Sequence, residues 1–429
     1  MGSYSKSEGA KGRVLELDPA IPYLRLQTVP GVRDILPGEA ALRRQLEAII
    51  RDTLAAAGYQ EVETPVFEYE EVIRAAGGDL QDRMVESGSS EGESPEVYRF
   101  FDREGHTLVL RPDMTTPIAR LAATRLASAP RPLRLAYVAD VFRYEEVHAG
   151  RQRQFRQAGV ERIGGVREID ADVEVLTLAS QLLARLGLSC FRIDVGHAEL
   201  VRGLLAAGGW GAREARLIRQ ALRRRDYVLL RELAEQQVDE QGQARTATSQ
   251  QGQARAGTSQ QRQAGTVTGR QANAARRLLL QLPRWRGGLA MLETARQQLA
   301  FLLGDFPQLA AALDDLEALL TLTKEAGLEI YERQDGGGAA ADGGDSSATD
   351  GGDTTSQVIA LDLGLVRDLG YYTGPVLEGF APEMGFTLLT GGRYDRLLEQ
   401  FGSRAEPATG FAIGLERVML ARERASRSR

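Results

Sequence analysis

The sequence predicts an α+β fold, a mainly antiparallel sheet flanked by helices, and three observations carry the prediction. The recognisable strands fall in hairpins instead of βαβ units, which favours antiparallel pairing. A run dense in Leu, Ala, Arg and Glu reads as a separate helical region over residues 190–330. Two stretches, residues 236–274 and 334–357, are too polar and too rich in small residues to bury a face, so they read as a disordered repeat and a flexible insertion.

Taken in chain order, residues 1–22 are polar and small and read as a flexible tail before a folded body over 23–421. Pro37 and Glu39 open a helix, Gly58 closes it, and Leu42, Leu46, Ile49, Ile50 and Leu54 fall on one of its faces. The segment 59–67 alternates like a strand, but Pro65 cannot donate to a ladder and belongs at an edge or strand end. Residues 134–145 and 153–163 read as an antiparallel hairpin whose loop contains Gly150. Asp170 to Leu186 reads as a helix with an apolar face of Val173, Leu176, Leu178, Leu182 and Leu186. Helical stretches are expected over 197–233 and 275–324, separated by the decapeptide Gln241–Gln250 and its near copy Gln251–Gln260. Strands are expected at 358–365, 376–380 and 386–390. A strand-to-helix junction is expected at 410–418, then helix to Ala421 and a tail over 422–429.

Composition narrows the chemistry. The 429 residues carry a formal net charge of −6, not the basic field of a nucleic-acid coat. One cysteine, Cys190, allows no intrachain disulfide. Three scattered histidines and that single cysteine argue against a zinc site. No apolar stretch is long enough to span a bilayer, and the N-terminus has no secretory core, so a cytoplasmic location is expected. The five aspartates of the Gly-rich insertion lack the ligand spacing of a calcium loop. No Ser/His/Asp triad or Walker-type phosphate loop is visible, and nothing points to covalent catalysis or to a cofactor.

The polar residues that stand out are of two signs. Arg143 and Arg151 flank the hairpin loop, and Arg367 precedes a double tyrosine. Arginine forks grip phosphate or carboxylate, although each could instead pair with a neighbour such as Glu145 or Glu146. Asp113, Thr115, Gln157 and Glu161 offer oxygens suited to an ammonium group or an imidazole N–H, or to capping loops. Gln157 and Glu161 are four apart on a strand and share a face, together with Arg153 and Phe155. Tyr371, Tyr372 and Tyr394 supply rings with polar tips, which line pockets for flat polar ligands or fill cores. Gly391-Gly392 permits a tight turn or a close approach.

Set side by side, Leu110-Arg-Pro-Asp-Met-Thr115, Phe142-Arg-Tyr-Glu145, Arg153 to Glu161, Leu365-Val-Arg-Asp-Leu-Gly-Tyr-Tyr372, Gly391-Gly-Arg-Tyr-Asp395 and Gly410 to Arg417 resemble the motifs of class II aminoacyl-tRNA synthetases. Pro65 stands where the first, dimer-forming motif has its proline; the Arg143 hairpin resembles the second motif and 410–417 the third. The double-tyrosine segment resembles the histidine branch. Within that branch the chain looks most like the regulatory subunit of ATP phosphoribosyltransferase. Asp113-Met114-Thr115 follows Arg-Pro where synthetases tend to have Glu-Gly-Thr, and Gln152 and Arg156 stand where they typically have Tyr and His. Asp194 to His197 and Tyr372 to Phe380 lean the same way. Asp368 and Gly370 depart from the family, which more often has Gly and Asp there.

The resemblance implies a class II synthetase-like core that does not catalyse. Its role would be that of a regulatory subunit, needed for the first step of histidine biosynthesis and for feedback by histidine. The implied histidine-binding set is Asp113, Thr115, Arg143, Gln157, Glu161, Arg367, Tyr371 and Tyr372. Arg151 and Arg417, the latter where a synthetase would stack adenine, are implied nucleotide or anion contacts. The implied partner is the short catalytic subunit, with a homodimer inside a hetero-octamer. No tRNA partner is expected, because the chain stops twelve residues after Arg417, where a synthetase continues into an anticodon-binding domain. The alternative is a histidyl-tRNA synthetase-like enzyme that activates histidine with ATP.

Overall fold

Leu46, Ile50 and Leu54 make the buried stripe of helix α1 (Pro37–Ala56), with Pro37 in its first turn, and Gly58, at φ +83°, ends it as the spacing predicts. The computed structural model describes residues 27–76, 97–144, 152–165, 168–235, 267–332, 356–367, 370–382 and 384–427. The expected tail over 1–22, most of the repeat and of the Gly/Asp-rich insertion, Arg151 and Asp368 lie outside the described residues.

After α1 come β1 (Gln60–Glu61), β2 (Phe67–Tyr69), α2 (Glu70–Ala76), β3 (Arg99–Phe101), β4 (Thr107–Leu110) and α3 (Thr115–Ala123). The predicted hairpin is β5 (Leu133–Phe142) and β6 (Gln154–Ile163), antiparallel in the register Tyr137 opposite Gly159. Helix α4 (Glu168–Arg185) and β7 (Phe191–His197) follow. The helical region is α5 (Ala198–Gly208), α6 (Ala212–Arg224), α7 (Tyr227–Glu235), α8 (Gly269–Gln281), β8 (Arg286–Gly287), α9 (Leu289–Leu303) and α10 (Pro307–Glu325). Last come β9 (Glu329–Ile330), β10 (Gln357–Asp362), β11 (Pro375–Phe380), β12 (Leu389–Arg393), β13 (Ala408–Gly414) and α11 (Leu415–Arg427).

Among the described residues, nine strands run in the order β1-β5-β6-β13-β12-β11-β7-β10-β8, with β9 also on β10; β2, β4 and β3 form a small separate sheet. The expectation of a mainly antiparallel sheet needs correcting: the large sheet is mixed. The block from β5 through β7 is antiparallel, whereas β1–β5, β7–β10 and β9–β10 are parallel. A parallel neighbour needs a long crossover, and here the whole helical region supplies it between β7 and β10. Three boundaries also move. Thr268 and Gln271 form a reciprocal capping box that starts α8 at Gly269, inside the stretch expected to be disordered. Helix α11 continues to Arg427 through the expected tail, and β12 starts at Leu389 instead of Phe386.

The pleat decides which side chains meet. One face of the sheet buries Ala158, Val160, Ile193 and Val195 against α1, α4 and the helical region. Leu176, Leu182 and Leu183 of α4 are fully buried there, each worth about 1.5–3 kcal/mol of transfer free energy. The other face carries a second core in which Met114, Ile118, Tyr137, Tyr371, Tyr372 and Tyr394 meet. That second core contains the polar residues singled out above.

Candidate functional site

Strand β6 places Gln157, Gly159 and Glu161 on one face because alternate residues share a side. The turn from β4 into α3 brings Asp113 and Thr115 against them. Arg111 fixes this turn from behind. Its guanidinium is 4 % exposed and donates to backbone carbonyls at Thr64 (2.6 Å), Pro65 (3.1 Å) and Asp140 (2.9 Å). The proline-containing edge segment is thereby tied to both the turn and the hairpin.

Glu161 is the centre of the cluster. It is 1 % exposed; Oε1 accepts from Thr115 Oγ1 at 2.7 Å and Oε2 from the Tyr394 hydroxyl. Burial pushes its carboxyl up to about 8, against the pull of those two hydroxyl donors. Asp113, 9 % exposed, caps the first turn of α3 by accepting from Thr116 N at 2.8 Å. Burial raises its carboxyl too, and the charge of Arg143 opposes the rise. The Tyr371 ring lies 4.9 Å from that of Tyr372 and 5.7 Å, edge-on, from that of Tyr394. Burial pushes the Tyr372 phenol up to about 12. Gln157 is 7 % exposed, and its Oε1 accepts no hydrogen bond.

Glycine is required at 392. Its φ is +148°, and a Cβ there would lie 2.6 Å from Pro375 O and 2.9 Å from the Tyr372 ring. The paired glycine of the sequence thus serves the close approach of Tyr372 to β12.

The arginines divide. Arg143 stays with the cluster: it is half-buried, donates from Nε to Pro112 O at 2.9 Å and lies 5.3 Å from the centre of the Phe155 ring. Arg367 donates to Glu378 Oε1 at 2.7 Å, a carboxylate that also accepts from Thr387 Oγ1 at 3.0 Å. Its charge still acts on Tyr372. Arg417 donates to Thr387 O at 2.7 Å beside the Phe386 ring, on the Glu378 side of the site. The structure therefore brings Asp113, Thr115, Gln157, Glu161, Tyr371 and Tyr372 into one cluster, sets Arg143 and Arg367 at its margins, and holds Arg417 apart.

Two cluster members lie outside the implied histidine-binding set. Tyr394 stands out in the sequence as a pocket-lining ring with a polar tip, but its bond to Glu161 depends on a β12–β13–β6 register that local patterns do not encode. Tyr137 carries no signal except a glycine across the hairpin. Among the described residues a group with metal-ligand spacing, Asp102, Glu104 and His106, sits on the β3–β4 turn and is largely exposed. Asp102 there already accepts from two backbone amides and the His106 ring.

Chemically the cluster offers two buried carboxyls, an unfilled amide oxygen and tilted and edge-on phenol rings, with guanidinium groups at the margin. That polarity complements a zwitterion with a polar side chain. No nucleophile–base pair is formed.

The histidyl-tRNA synthetase family model matches residues 31–335 and 346–418. The ATP phosphoribosyltransferase regulatory subunit of Symbiobacterium thermophilum is 39% identical over 402 residues, 94% of this chain and 81% of the relative. That of Moorella thermoacetica is 38% identical over 401 residues, 93% and 82% of the two chains. A solved ATP phosphoribosyltransferase regulatory subunit/histidyl-tRNA synthetase from Bacillus halodurans is 28% identical, with TM-score 0.67, covering 93% of this chain and 83% of that one. A solved histidine–tRNA ligase subunit from Alicyclobacillus acidocaldarius is 30% identical, with TM-score 0.68, over 93% and 98%.

Proposed function

The chain belongs to the histidyl-tRNA synthetase-like family of ATP phosphoribosyltransferase regulatory subunits, and on that premise we propose that it is a non-catalytic histidine sensor for a catalytic phosphoribosyltransferase. The partner joins ATP to phosphoribosyl pyrophosphate in the first step of histidine biosynthesis. This chain is needed for the partner's activity and relays feedback by histidine. The observation that carries the role is the identity of 31–39% to regulatory subunits over more than nine-tenths of the chain.

The cluster around Glu161 is the histidine site in this reading. Arg143 and Arg367 take the carboxylate. Asp113, Thr115 and Gln157 take the ammonium. Glu161, Tyr371 and Tyr372 surround the ring. Feedback then requires that histidine bind the active and inhibited assemblies with different affinity, typically by a factor of about 5–150. The assembly is a homodimer within a hetero-octamer, working in the cytoplasm. Among the described residues no helix is long and apolar enough to cross a membrane.

The test combines the chain with a short catalytic subunit and follows phosphoribosyl-ATP formation with and without histidine. Activity that needs the chain and falls with histidine is expected. The second reading, histidine activation, is favoured by the Alicyclobacillus relative and by retention of Arg417. Histidine-dependent pyrophosphate exchange by the pure chain, with no effect on the catalytic subunit, would establish it and overturn the first.

A further inference from the structure

The deep end of the cluster holds one hydroxyl with nothing to bond. Tyr137, in the middle of β5, is 0 % exposed, and its Oη has no hydrogen-bond partner. A buried hydroxyl left this way costs about 1–3 kcal/mol. Gly159 stands directly across on β6, and a Cβ there would come within 2.0 Å of Phe411 O on β13 and 2.6 Å of the Tyr137 hydroxyl oxygen. The glycine therefore lets β13 approach and also leaves room for the phenol over β6. Gln157 and Glu161, two residues to either side of Gly159, share its face. Asp113, Glu161 and Tyr372 are close enough to act on the phenol's ionisation.

Depth orients a ligand in this cluster. Arg143, at the end of β5, is half-buried; Asp113 and Gln157 are 9 % and 7 % exposed; Glu161 and Tyr137 are 1 % and 0 %. An amino acid with its carboxylate at the arginine end puts its side chain at the Tyr137–Glu161 end. There the Thr115 and Tyr394 hydroxyls are engaged by Glu161, and Tyr137 is the hydroxyl left over.

We propose that the Tyr137 hydroxyl is a specificity contact that hydrogen-bonds the imidazole ring of bound histidine. The inference rests on the histidine reading above. A ring nitrogen with a lone pair accepts from the phenol, whereas a thiophene or phenyl ring leaves the hydroxyl buried and unmet. A site built to hydrogen-bond a group discriminates strongly against the analogue that lacks it.

The experiment titrates the full chain and its Tyr137→Phe variant with L-histidine and with β-(2-thienyl)alanine by calorimetry, and unfolds both ligand-free proteins in urea. The variant is expected to lose about tenfold in histidine affinity, the size of one hydrogen bond. It should keep its thienylalanine affinity within about twofold, and its ligand-free midpoint should stay or rise because an unmet hydroxyl is gone. A purely structural Tyr137 would instead weaken both ligands alike and lower the midpoint. That result, or histidine affinity within twofold of wild type, overturns the inference while leaving the histidine reading intact. A wild-type chain that binds no histidine overturns the reading itself.

Discussion

Replacing Glu161 by glutamine is expected to destabilise the chain in acid and stabilise it at neutral pH and above. Glu161 is ionised at ordinary pH in the unfolded chain, but in the fold its carboxyl is pushed up to about 8 by burial. A raised folded-state pKa means full stability below the unfolded value, near 4.5, and progressive loss as pH climbs toward 8. The gap corresponds, at about 1.36 kcal/mol per pH unit, to roughly 5 kcal/mol of stability surrendered across that window. Glutamine keeps the shape and cannot ionise, so it removes this loss. It also replaces an oxygen, which can accept a hydrogen bond whether the carboxyl is protonated or not, by an NH2 that only donates, so either Thr115 or Tyr394 loses its acceptor. That orphaned hydroxyl costs about 1–3 kcal/mol at every pH. The difference between the proteins therefore runs from a loss of about 1–3 kcal/mol near pH 4.5 to a gain of about 2–4 kcal/mol above pH 8. The stability curves cross between about pH 5 and 7. Urea unfolding of both proteins at four pH values measures it. Asp172 and Asp194, both raised to about 6, titrate alike in the two proteins and cancel in the difference. Parallel curves from pH 5 to 8 would refute the reasoning.

Three further substitutions probe the frame. Gly392→Ala forces a side chain into φ +148° and against Pro375 O and the Tyr372 ring. A loss of roughly 1–3 kcal/mol in urea unfolding is expected, together with weaker histidine binding by calorimetry as Tyr372 is displaced. Arg393→Met strands Asp172, a 4 % exposed carboxylate that Arg393 grips from both Nε and Nη2. It should cost about 3–5 kcal/mol. Arg296→Met, which breaks pairs with the exposed Asp314 and Glu317, should cost less than about 1 kcal/mol in the same assay.

What the sequence disclosed depended on range. The β5–β6 hairpin was legible because its partners are adjacent in sequence and its alternation is regular. The same alternation is enough to put Gln157 and Glu161 on one face. The parallel pairing of β10 with β7 was not legible, since more than one hundred and fifty residues separate the two strands. The start of α8 was hidden by composition: Thr268-Gly-Arg-Gln271 looks like more of the polar repeat, yet its two side chains cap each other's backbone. The family motifs named Arg367 as a ligand-facing residue, but they do not show that the chain turns back after the double tyrosine and brings the Glu378 carboxylate of β11 onto it. Residue type announced the chemistry of each group; register decided which groups became neighbours.

The segment from Arg393 to Asp395 shows how a costly site is held in place. Tyr394 donates to Glu161 on the site face. The Arg393 carbonyl accepts from Thr373 N at 2.9 Å, and Thr373 Oγ1 donates to Asp395 Oδ2 at 2.7 Å, which anchors the loop bearing Tyr371 and Tyr372. The Arg393 side chain goes the other way, to Asp172 of α4 and, at 2.8 Å, to Asp315 of α10. His197, which caps α5, reaches the same Asp315 oxygen at 3.4 Å. Three consecutive residues therefore connect the buried carboxylate, the tyrosine loop and two helices of the opposite layer. A ligand-free cluster that keeps Glu161, Gln157 and Tyr137 out of water loses stability by doing so, and would relax by letting water in if its walls were loose. Relaxation of β12 would have to break the Arg393 ion pairs on the far side of the sheet, where leaving one charge buried alone costs about 3–5 kcal/mol. The rigidity that keeps these groups waiting for a ligand is thus supplied from the face that the ligand does not touch.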